Sequence, residues 1–123
     1  TADELAGNAS LAGIAANLKN GAAALSSAAD WVLANYDSNP QAAAAGAVPF
    51  LKLTGIVAGG WLMAKSAGIA AQRLAEGSSD DFYKAKIATA TWFATHQLPF
   101  AAAYSAEVTG GSAATLGLDE NLF

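Results

Sequence analysis

His96 is the only histidine in the 123-residue chain, and there is no cysteine. Zinc sites built on two histidines or on thiolates are therefore excluded, as are thiol catalysis and disulfides, and the redox compartment stays open. Trp92 and Phe100 stand four residues either side of His96, on one face if the segment is a single helix. The expected arrangement is an imidazole packed between two aromatic rings, with one ring nitrogen hydrogen-bonded. A general base would need a positioned partner. Glu107 is the obvious partner to test, but eleven residues along a straight helix displace it by about 16 Å. Asp80 and Asp81 form an acidic pair, better explained by the electrostatics of a helix start than by acid–base catalysis.

The remaining chemical motifs fail on context. No serine lies in a G-x-S-x-G nucleophile elbow. The run GIVAGG (Gly55 to Gly60) lacks a preceding strand, the G-x-G-x-x-G spacing and a Gly-Lys-Ser/Thr ending, so it is no phosphate loop. Its glycines instead predict close approach of a facing helix, with Gly55 and Gly59 as a small-xxx-small pair. No residue is assigned a catalytic, cofactor-binding or metal-binding role.

The elements that position these residues are helices. Leu11, Leu18, Leu25 and Val32 recur every seven residues, with Ile14 and Ala28 between them, predicting a helix from Asp3 to Tyr36. Asn39 is a good N-cap and Pro40 suits the first helical position, so a second helix runs to Glu76, where Gly77 stops it. Pro49 predicts a kink or short break before Phe50. Ser78 and Asp81 have capping-box spacing for a third helix. Its apolar face is Tyr83, Ile87, Ala90, Ala94, Ala101 and Val108; Pro99 predicts a kink near Thr95, and Gly110 and Gly111 an end. A tail with one helical turn follows. The fold class is all-α: an antiparallel up-down bundle of three long helices, or four segments if kinked at Pro49 or Pro99, forming one domain over residues 1–123.

Composition narrows the function classes. Hydrophobic residues make up 54% and charged ones 13%, with alanine inflating the first figure. A net charge of −4 without a basic cluster argues against nucleic acid. The stretch from Phe50 to Ala71 carries only Lys52 and Lys65, with twelve uncharged residues between them, too few to cross a bilayer core. Lys52, Gly59, Ser66 and Arg73 step by seven, predicting a narrow wet stripe on an otherwise covered helix. The expectation is no membrane span. The chain opens at Thr1 and its only methionine is Met63, which predicts a fragment or processed product. Asp3 and Glu4 sit where a signal peptide would be basic.

Four stretches together resemble a known family. LKLTGIVAGGWLMAKSAGIA is followed by DFYKAKIATATWF, then LPF and a final GGSAATLGLDENLF. Gly60 and Trp61, then Phe82, Tyr83 and Lys86, then Gly110, Gly111 and Phe123, are similar to the helical C-terminal extension of a subgroup of bacterial acyl-CoA dehydrogenases. The likeness is strongest from Phe50 to Phe123. It implies a parent flavoenzyme, FAD-dependent and cytoplasmic, that oxidises an acyl-CoA thioester to the 2,3-enoyl product. In such a parent a catalytic glutamate takes the α-proton and flavin N5 the β-hydride. Both the glutamate and the flavin site would lie upstream, so nothing is carried over to Glu107.

The resemblance implies, as partners, the parent's catalytic domains, a homodimer mate and the parent's acyl-CoA substrate. FAD would belong to the parent and not to this chain. Trp61 and Trp92 are expected in the core, with contact to the parent body the lesser alternative. Two other functions fit the residues: an independent helical interaction module, and a small acyl-chain binder between helices.

Overall fold

A computed structural model describes residues 1–122; Phe123, the closing aromatic of the resemblance, lies outside them. The described residues contain helix and no strand, as expected for an all-α chain. Three continuous long helices are not what forms. Seven α-helices run in order: α1 (Ala2–Ala6), α2 (Ala12–Asn35), α3 (Pro40–Ala45), α4 (Ala47–Ala75), α5 (Asp81–His96), α6 (Phe100–Gly110) and α7 (Ser112–Leu116). A 3-10 turn at Glu120–Leu122 follows. The three expected rods survive as directions: α2, then α4, then α5 continued by α6.

Each break has a local cause. The first expected helix is cut between α1 and α2. There the Asn8 Oδ1 accepts from the Ser10 backbone N–H (3.0 Å) and hydroxyl (2.7 Å), a turn that competes with helical bonding. The cut folds α1 back, so that Leu5 is buried with Ala64 and Ala67 of α4.

The second helix is interrupted at Gly46, a short break before Phe50 as Pro49 predicts, since Pro49 cannot donate to the carbonyl of Ala45, where α3 ends. Pro49 falls in the first turn of α4, where its missing N–H has no intrahelical partner in any case. Gly46 is buried, and a Cβ there would sit 3.4 Å from the Val108 carbonyl oxygen.

The third helix parts at Gln97–Pro99, slightly beyond the expected kink at Thr95. Pro99 cannot donate and disfavours helix at the residue before it. The turn delivers Leu98 inward, at 2% exposure.

The start and stop signals were read more closely than the breaks. Asn39 caps α3, accepting from the Ala42 N–H at 3.3 Å, with Pro40 at the first position. Gly77 takes φ +96°, and the N–H groups of Gly77 and Ser78 close on Leu74 and Arg73, a Schellman ending. The cap of α5, however, is Asp80 and not Ser78. Its Oδ1 accepts from the Phe82 N–H at 2.9 Å, while the Ser78 hydroxyl accepts from the Asp80 N–H.

Successive rods are antiparallel, and α2 and α6 run parallel. Gly21 meets Val57 and Ala101, and the Ser105 hydroxyl donates to the Ala24 carbonyl at 3.0 Å. Two core clusters stack along the bundle. One joins Leu11, Ile14 and Leu18 to Ala64, Ala90 and Leu98; the other joins Ala28, Leu53, Val57, Ala101 and Val108. The predicted seams of α2 and of α5–α6 therefore face inward. Four of these buried residues are alanine, so helices approach closely and each contact removes little area from water.

Candidate functional site

The residues with chemical potential lie apart. His96 is exposed at the end of α5. Its ring lies over Trp92, with centroids 5.4 Å apart, and no hydrogen bond engages its nitrogens among the described residues. The expected sandwich with Phe100 does not form, because the break at Gln97–Pro99 moves Phe100 onto α6. Glu107 is exposed on α6, in a separate helix from His96. Asp80 caps α5, and Asp81 meets the Lys84 ammonium one turn on at 2.9 Å. The acidic pair therefore serves the helix start, as its spacing implied. Among the described residues no three of His, Asp and Glu gather as metal ligands.

Of the GIVAGG glycines, two make close approaches, and Gly55 is not one of them. A Cβ on Gly55 would meet nothing within 4 Å; on Gly59 it would lie 3.1 Å from Phe93, and on Gly60 2.6 Å from Leu98. The Gly60–Trp61 pair thus joins a contact on the inner side to an aromatic on the outer edge. Trp61 is 44% exposed, its indole N–H donating to the Thr1 hydroxyl (3.1 Å) and its ring lying 4.7 Å from the Lys65 ammonium. Trp92 is also exposed. Neither tryptophan is in the core, contrary to the sequence reading.

The polar stripe on α4 is displaced as well. Gly59 and Ser66 are half-buried toward α5, while Lys52 and Arg73 reach solvent. What faces outward is an apolar ridge of Leu51, Leu62 and Ile69, at 73%, 57% and 57% exposure. By length and composition alone α4 is long and apolar enough to cross a membrane, a test that the core helix of a bundle also passes. Its inner side, however, carries six buried residues packed against α2, α5 and α6. The ridge had only a partial signal in the sequence: positions 51, 55, 58, 62 and 69 share one helix face, with Lys65 at its edge.

At its N-terminal end the ridge borders a groove of about 560 Å³ between the end of α2, α3 and the start of α4. Val32, Tyr36, Ala43, Phe50 and Leu51 are among its walls, and no charged side chain lines it. The Thr54 hydroxyl at its edge donates back to the Phe50 carbonyl. At the other end Ile69 meets Phe82 and Lys86 of α5 across a shallower depression. Chemically the arrangement offers apolar docking area and no set of groups converging on a reacting atom.

Comparison with known proteins agrees with this picture. The model of the family described as "Acetyl-CoA dehydrogenase C-terminal like" matches residues 1–119. A 3-methylmercaptopropionyl-CoA dehydrogenase from Ruegeria pomeroyi is similar, at 41% identity over 103 residues. That match covers 84% of this chain but only 18% of the relative. This all-α chain belongs to the acetyl-CoA dehydrogenase C-terminal-like family.

Proposed function

We propose that this chain is the accessory helical domain of an FAD-dependent acyl-CoA dehydrogenase and is not itself catalytic. It packs on the parent's catalytic domains, where it supports a homodimer or shapes the acyl-CoA entrance. The observation that carries this is a match to only 18% of a dehydrogenase by a chain whose longest helix turns an apolar ridge outward. A cytoplasmic location follows from the same reading. Residues 1–123 are then one domain at the C-terminal end of a longer flavoenzyme.

The residues present do not fit a flavin. The groove of about 560 Å³ has no cation to meet a pyrophosphate, and no buried side-chain polar atom among the described residues lacks a partner. The flavin and the dehydrogenation are therefore assigned to the rest of the parent, and no chemical step is routed through this chain. The test is the parent reading frame. It should encode a flavin-binding core upstream of Thr1, and the purified product should show the absorption bands of an oxidised flavin. A frame without that core contradicts the proposal.

A further inference from the structure

We infer that the outward ridge of α4 is the docking surface, and that its occupant is an apolar, carboxylate-flanked face on the remainder of the parent polypeptide. The inference rests on the accessory-domain reading.

From Leu51 to Ile69 the ridge extends about 27 Å along the helix. Soluble domains rarely leave so long an apolar run uncovered. Gly55 lies within it, exposed in mid-helix, with open space where a Cβ would stand. Such a glycine costs about 1 kcal/mol relative to alanine and has no use inside the domain. It does allow a neighbouring backbone to approach.

Charge selects the occupant. Lys52 and Lys65 flank the ridge on opposite edges, about 100° to one side of Leu51 and about 40° to the other at 3.6 residues per turn. Both are exposed. Lys65 lies over the Trp61 ring at 4.7 Å and Lys52 over the Tyr104 ring at 5.7 Å. Among the described residues neither ammonium, nor that of Lys86 on α5, is within 4 Å of a carboxylate, whereas Lys19, Arg73 and Lys84 each are. An apolar centre with two unneutralised cations at its rim calls for an apolar surface with carboxylates on both sides. A second copy packed α4 on α4 does not supply these, since α4 has no Asp or Glu between Leu51 and Ile69. The other four-fifths of a relative such as the Ruegeria enzyme is chain of the right extent to do so.

The experiment is carbene footprinting of the purified full-length parent, read by mass spectrometry. Leu51, Leu62 and Ile69 should be labelled several-fold less than Trp92, which is exposed on α5. In the Leu62→Glu parent that protection should be lost. Flavin content and helicity should be kept, because Leu62 makes no part of the core. Labelling of the ridge equal to that of Trp92, in a parent that carries its flavin, overturns the docking face and leaves the accessory-domain reading standing. Protection that vanishes when an oligomer dissociates assigns the ridge to a second copy and overturns the inference. So does protection that appears only with vesicles of equal parts phosphatidylglycerol and phosphatidylcholine. A parent without a flavoenzyme core removes both readings together.

Discussion

Leu98 fills the space that two glycines leave empty. A Cβ on Gly21 would stand 3.2 Å from its Cδ2, and one on Gly60 only 2.6 Å. Because Leu98 is buried in the turn between α5 and α6, it has little room to yield. Gly60→Ala should therefore lose about 1–3 kcal/mol to overpacking, more than helix propensity returns. In a Leu98→Ala background the same change should be neutral or stabilising, since the new methyl enters the vacated space. Denaturant unfolding of the four proteins measures this, and equal effects in both backgrounds would refute the contact. The sequence showed that glycines here permit close approach, but not which ones. Gly55 and Gly59 share the right spacing, yet only the side on which α5 and the Leu98 turn pack distinguishes Gly55 from Gly59 and Gly60. His96 was likewise judged from a face that the break beginning at Gln97 divides.

Among the elements, boundaries set by local chemistry were legible and those set by tertiary packing were not. Asn39 with Pro40, and Gly77, mark ends through bonds made within a few residues, and the structure has them. At α5 the choice between Ser78 and Asp80 turned on which oxygen reaches a first-turn N–H, and Asp80 does. Asp80→Ala should cost about 1 kcal/mol, seen as a melting temperature lower by about 3–5 °C. Ser78→Ala should cost less, and the reverse order would return the cap to Ser78. The short break before Phe50 was legible from Pro49, which cannot donate to the Ala45 carbonyl at the end of α3, whereas the burial of Gly46 against Val108, sixty-two residues away, was not.

At the scale of the molecule, the two stacked core clusters use one side of α4 and leave the other apolar and open. The all-α class and the inward seams were legible because heptad spacing reports burial directly. The outward ridge was not separated from the core face, because a helix apolar on both sides gives periodicity little contrast to work with. In the accessory-domain proposal that second side is covered by the rest of a longer polypeptide, to which the chemistry is assigned. The most direct measurement is an anaerobic titration with acyl-CoA of two samples, the full-length parent and this 123-residue chain supplied with FAD. The account predicts that the parent's flavin band bleaches, while the FAD mixed with the isolated chain keeps its absorption unchanged. Bleaching by the isolated chain, or a parent that holds flavin but does not respond to any acyl-CoA, would contradict it.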